Sequence, residues 1–175
     1  MGINFPDGTQ YYPTSTIQVK QQLYSTVETY TAASSSTFQD IMTATMTMRS
    51  NVSKLLVYIE VHGYNNTSGM DRSFGAQYKV DSGSYISFGD NPNSYSGMKP
   101  TYQHNNRGDD HTFGYASHFE FLIDNNWSDG NVITVQLRTL GENTFYLNQG
   151  SQTASGRFGR GRTRIILREE IGEPS

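Results

Sequence analysis

From Thr16 onward, apolar and polar residues alternate with period two in run after run, the repeat of a half-buried β-strand and not of a helix. In the first run Ile17, Val19 and Gln21 fall on one side and Gln18, Lys20 and Gln22 on the other. After the Ser34–Ser36 cluster, Met42, Ala44, Met46 and Met48 alternate with Ile41, Thr43, Thr45 and Thr47, and a threonine-rich row suits a pleated surface. Lys54–His62 is the strongest core candidate. Leu55, Val57, Ile59 and Val61 stand opposite Leu56, Tyr58, Glu60 and His62, which predicts one dry face and one partly wet face. Phe74–Val80 and Tyr85–Phe88 flank Asp81-Ser82-Gly83-Ser84 as a short hairpin.

Further on, Phe113, Tyr115, Phe119, Phe121 and Ile123 alternate with Thr112, Gly114, Ala116, His118 and Glu120, and this strand ends at a turn over Asp124–Gly130. Ile133, Val135 and Leu137 mark the next strand, Thr144–Asn148 a short one, and Arg162–Ile171 the last, with Ile165 and Leu167 inward. Eight to ten short strands without a helical crossover predict an all-β fold: a jelly-roll-like antiparallel β-sandwich. Two connections stand out. Gly89–Asp110 is polar, aperiodic and longer than an ordinary loop, which marks it for function or an interface, and a Gly/Ser-rich stretch runs to Gly161. Residues Met1–Ser15 carry Gly and Pro punctuation in a polar and aromatic setting, so 1–15 reads as an extended N-terminal arm and 16–175 as one sandwich domain.

Composition changes this picture in three ways. In 175 residues there are 12 Tyr and 9 Phe but only 34% hydrophobic residues, a balance suited to a thin sandwich with aromatic subunit contacts. Lys+Arg 13 against Asp+Glu 16 gives a formal charge of -3, too weak a field to point to a nucleic-acid or anionic-membrane partner. With 0 Cys, disulfides, thiolate metal sites and cysteine nucleophiles are excluded. The start lacks the pattern of a secretory signal and no apolar run approaches a membrane span, so the chain reads as soluble and made in a cytoplasm; the sequons at Asn51, Asn65, Asn66 and Asn126 are then chance matches.

Candidate chemistry is sparse. His118 and Glu120 share a strand face, and His104 and His111 lie near Asp109 and Asp110, but the spacing matches no metal signature and ordinary hydrogen-bonding imidazoles are expected. Asp124–Gly130 holds oxygen ligands, yet its glycine is one position late for a Ca²⁺-binding helix loop, and Val135 stands where the closing Glu belongs. There is no Gly-x-Ser-x-Gly elbow, phosphate-binding glycine loop or His-Glu-x-x-His, so neither an enzyme nor a cofactor is expected. Arg107-Gly108-Asp109 reads as a turn, and the basic Gly156–Arg162 stretch as an exposed loop or a source of inter-subunit salt bridges.

The order of features resembles the C1q/TNF-like jelly-roll modules of virion-surface proteins, capsid decorations and tail fibres of marine and freshwater tailed phages. The resemblance spans Ile17–Ile171 and rests on five stretches: Phe38-Gln39-Asp40-Ile41, Ser53–Ile59, Phe121–Asp124, Thr144–Asn148 and Arg162–Ile171; the leading Ile3–Gln10 looks like the segment preceding such modules. It implies a homotrimer on a virion surface whose partners are itself, other virion structural proteins such as the major capsid protein, and a host cell-surface glycan. Under that reading Ile3, Phe5, Tyr11 and Tyr12 anchor the arm to a neighbour. Tyr95, Tyr102, Arg107 and Trp127 are the candidate receptor or partner contacts. Tyr58, Tyr115, Phe119, Tyr146, Arg164, Arg168 and Glu170 are the candidate inter-subunit contacts. Arg164, Arg168, Glu169 and Glu170 depart from the small hydroxyl residues usual in the closing strand, so inter-subunit salt bridges are expected there. A capsid decoration or cement protein is the first expectation, a tail-fibre tip binding polysaccharide the second, and a glycan hydrolase using Glu120 and Asp124 a distant third.

Overall fold

The computed structural model describes residues 3–4, 10–11, 15–31, 38–65, 72–88, 115–124, 127–141, 144–149 and 161–171. They form twelve strands: β1 (Ile3–Asn4), β2 (Gln10–Tyr11), β3 (Ser15–Tyr24), β4 (Glu28–Tyr30), β5 (Gln39–Thr47), β6 (Ser53–Asn65), β7 (Arg72–Val80), β8 (Ile86–Ser87), β9 (Tyr115–Ile123), β10 (Val132–Gly141), β11 (Phe145–Leu147) and β12 (Thr163–Ile171). Every pairing is antiparallel. One sheet has the order β5-β10-β7-β8; the other has the order β3-β12-β6-β11-β4, with β9 also paired to β6. Two packed antiparallel sheets make this a β-sandwich, as the alternation predicts.

The core lies where the two inner faces meet. Leu55, Val57, Ile59, Ile165 and Leu167 from one sheet face Met46, Ile133, Val135 and Leu137 from the other, all at 0 to 2% exposure. Removing apolar surface from water is worth about 25 cal/mol per Å², so these facing rows supply most of the drive to fold. Phe74 and Phe145 meet edge to face at 5.3 Å, and Phe88 stacks on Phe121 at 4.3 Å, filling the ends of the slab.

Two buried polar nodes close it. Asn148, with φ 58, sits fully buried where β11 hands over to β12. Its amide donates to Tyr24 O (2.8 Å) and Thr26 O (2.9 Å), and its oxygen accepts from Thr163 N (2.7 Å) and Thr163 Oγ1 (2.8 Å). Asn tolerates the left-handed backbone, and here every side-chain valence is used.

The second node corrects the reading of the closing strand. Glu169 is no interface charge: it is 0% exposed and points into the sandwich in line with Ile165 and Leu167. Its carboxylate accepts from Arg49 N (2.9 and 3.2 Å), Ser50 N (3.1 Å), Ser53 Oγ (2.6 Å) and Gln18 Nε2 (2.6 Å). The other proton of the Gln18 amide goes to Thr47 O at 2.7 Å, joining the two sheets at their corner. Among the described residues no cation pairs with Glu169.

Within the arm, Ile3 and Asn4 pair with Tyr11 and Gln10, so its two short strands fold on each other. Phe5 and Tyr12 lie outside the described residues.

Because four donor groups converge on Glu169, Glu169→Ala strands buried N–H groups and is expected to cost about 3–5 kcal/mol, with Glu169→Gln costing about 1–3 kcal/mol. The urea midpoint of unfolding measures both, and an unchanged midpoint in either variant contradicts the node.

Candidate functional site: an outer sheet face

Register carries four rows of side chains across the outer face of the β3-β12-β6-β9 sheet. Leu23, Arg164, Glu60 and His118 make the first, Gln21, Ile166, Tyr58 and Glu120 the second, Val19, Arg168, Leu56 and Leu122 the third, and Thr16, Glu170 and Lys54 the fourth. Aliphatic groups stand well out of this face: Val19 is 58% exposed, Leu122 54% and Leu23 39%. On β3, period two survives as predicted, yet Val19 faces solvent while Gln18 turns toward Glu169.

The cations between these aliphatics are paired within the chain. Arg164 Nε donates to Glu60 Oε2 at 2.6 Å, Arg168 Nε to Glu170 Oε1 at 2.6 Å, and Lys54 Nζ reaches Asp124 Oδ1 at 3.2 Å. Arg164, Arg168 and Glu170, expected to form salt bridges between subunits, also pair inside one chain: Arg164 meets Glu60 across the β12–β6 register, and Arg168 meets Glu170 two positions along the same face of β12. Tyr58 is flanked by rings and cations: His118 stacks at 6.2 Å between centroids, and the Arg164 guanidinium lies 5.9 Å above it.

Glu60 is the electrostatic centre of the face. His62 Nε2 lies 2.7 Å from Glu60 Oε1, and since a carboxylate only accepts, that nitrogen carries the proton. Partial burial pushes the Glu60 carboxyl up, but the hydrogen bonds from His62 and Arg164 and their charges outweigh it and hold the carboxyl below its ordinary range. Gly161 seals the arrangement: a Cβ there stands 2.2 Å from His62 Cβ, so only glycine lets the chain pass over the imidazole.

The remaining predicted residues scatter. Tyr146 pairs with Tyr64 and Thr29, between the buried Phe145 and Leu147, at the far end of the same sheet. Tyr115 and Phe119 pair through their backbones with Gly63 and Ile59 in the β6–β9 ladder. Trp127 is corrected outright: it is 7% exposed, joins the core and donates Nε1–H to Ser50 O at 3.0 Å, which removes it from any receptor surface. Tyr95, Tyr102, Arg107, His104 and His111 lie outside the described residues. Asp124 pairs with Lys54, and Glu120 is exposed. The apolar outer row was missed because Val19, Leu56 and Leu122 lie in three separate segments of sequence.

The two ends of the sandwich differ. Ser15, Ile171 and Ser53 are paired neighbours at one end, where both outermost strands of the chain leave the domain and the β5–β6, β7–β8 and β9–β10 connections close. The strand ends joined by residues 31–38, 66–71, 142–144 and 148–162 lie at the other. No protein-family model and no curated protein matches this sequence.

The Glu60 geometry fixes a pH dependence. A carboxyl whose folded-state pKa is depressed contributes stability above its unfolded value of about 4.3, and that stability is lost as pH falls through the folded value. Arg164→Met is expected to raise the Glu60 pKa toward the ordinary range and flatten the stability profile below about pH 4.5. Carboxyl-carbon NMR titration reads this directly; an identical Glu60 titration in the variant contradicts the pairing.

Proposed function

We propose that the chain is a non-enzymatic structural protein of a bacteriophage virion: a jelly-roll module that assembles as a homotrimer and is held on the particle by residues 1–15, as a capsid decoration or cement protein or a short capsid fibre. Its partners are two further copies of itself and a virion protein such as the major capsid protein, and its place is the virion surface. Strand order supports the jelly roll. Sheets β3-β12-β6-β9 and β5-β10-β7-β8 each draw neighbours from distant parts of the chain, as two interleaved Greek keys require. The virion role rests on the resemblance over Ile17–Ile171.

Self-assembly is carried by one observation, the aliphatic side chains Val19, Leu23 and Leu122 exposed on a face whose Arg164, Arg168 and Lys54 are already paired with carboxylates. A face of free ions loses hydration when covered, whereas pre-paired ions beside aliphatic groups lose less and gain the apolar term. Closed three-fold symmetry then covers this face on each copy and stops growth at a defined particle.

The double variant Val19→Asp/Leu122→Asp places two unpaired carboxylates on this face. It is expected to remain folded by circular dichroism but to elute as a monomer at concentrations where the natural chain elutes as a trimer, a weakening of about 3 kcal/mol or more. A variant that assembles as well as the natural chain excludes this face as the interface.

A further inference from the structure

We infer that the end of the sandwich from which both outermost strands leave is a second, rigid docking surface, with the β5–β6 turn and Ile171 seated on the same virion protein that holds the N-terminal arm. This rests on the reading that residues 1–15 anchor the protein.

The turn is held far more firmly than a short connection needs. Glu169 grips Arg49 N, Ser50 N and Ser53 Oγ from below. Trp127 Nε1 grips Ser50 O at 3.0 Å from the side, while Met48 N donates to Asn131 O at 2.8 Å and Gly130 N to Met48 O at 2.9 Å. Asp81, with φ 48, ties the neighbouring connection to the same corner by accepting from Asn131 Nδ2 and Val132 N, each at 2.7 Å. A carboxylate buried without a cation is a poor way to gain stability, and its return is one fixed backbone geometry. A surface fixed in advance loses little conformational entropy on docking.

This frame presents two aliphatic side chains beside a cation. Val52, at the tip, is 59% exposed, and Ile171, paired with Ser53 beside it, is 44% exposed. Arg49 is exposed on the same turn, and no carboxylate of the described residues pairs with its side chain. The complementary partner is a protein surface with an apolar seat for Val52 and Ile171 and a carboxylate for Arg49.

The arm determines which end meets that partner. Tyr11 pairs with Ile3, and only residues 12–14 separate it from Ser15, so the β1–β2 ladder lies within about 14 Å of the Ser15 end. The opposite end is roughly 30 Å away along strands of nine or ten residues. A protein that holds the arm is therefore delivered to Val52 and Ile171 at high effective concentration, and the two contacts reinforce each other.

The test uses particles of the source phage stripped of this protein, titrated with the full chain, with Val52→Asp/Ile171→Asp and with a chain lacking residues 1–14. The double variant lies outside the assembly face and is expected to keep the natural oligomeric mass and unfolding midpoint, yet to rebind at least 10-fold more weakly, as is the truncated chain. Natural rebinding by the double variant, with the truncated chain weakened, overturns the docking end and leaves the arm's role standing. Natural rebinding by the truncated chain, or no rebinding by the full chain, removes the anchoring reading and the docking end with it. Should Val52→Asp/Ile171→Asp unfold, Val52→Ser and Arg49→Glu singly replace it, with the same reading: no loss of rebinding in either overturns the proposal.

Discussion

A single carboxylate organises the corner on which the sandwich turns. Glu169 enters from the last strand, with two backbone N–H groups, a hydroxyl and an amide converging on it, and so joins β3, β12 and the β5–β6 turn around one buried charge. Hydrogen bonds to a charged acceptor are stronger than neutral ones, but the desolvation of that acceptor offsets much of the gain. The net result is uniqueness of geometry more than stability: only one placement of the turn satisfies all the donors. Gln18 extends the same logic across the gap between sheets, since its two amide protons serve Thr47 in one sheet and Glu169 in the other.

Around that corner the two broad faces have been given different chemistry. The outer face of β5-β10-β7 carries hydroxyls, amides and an ion pair, with Thr43 and Thr45 exposed, Gln77 donating to Gln136 at 2.5 Å and Arg138 paired with Asp40. The outer face of β3-β12-β6-β9 mixes exposed aliphatics with ion pairs closed inside the chain. Val19, Leu23 and Leu122 stand out of that one face together. The proposed trimer places that face inside an assembly and the polar face outside it.

Strand placement was legible in sequence because burial of one face is a local pattern: β5, β6, β7, β9, β10 and β12 are found where period two predicts them, and the Asp81–Ser84 hairpin closes as its turn residues require. Whatever depends on a distant partner was not legible. Glu169 read as a surface charge among Arg168 and Glu170, since its donors Arg49 and Ser50 lie about 120 residues earlier. Trp127 read as a receptor contact because an aromatic face suits a sugar ring, whereas its burial depends on a backbone carbonyl 77 residues earlier in the chain. At three residues, β4 is too short to show a period. The apolar outer row exists only after register assembles it, so Tyr58, Arg164, Arg168 and Glu170 were found there while Val19, Leu23 and Leu122 were not.

The central claim is that this chain completes itself by assembling with its own copies. Static light scattering of the full chain over a tenfold concentration range tests that claim most directly. The account predicts a constant mass of three times 19.6 kDa at neutral pH. A mass of one chain throughout that range contradicts it, because the apolar face then stays in water by itself.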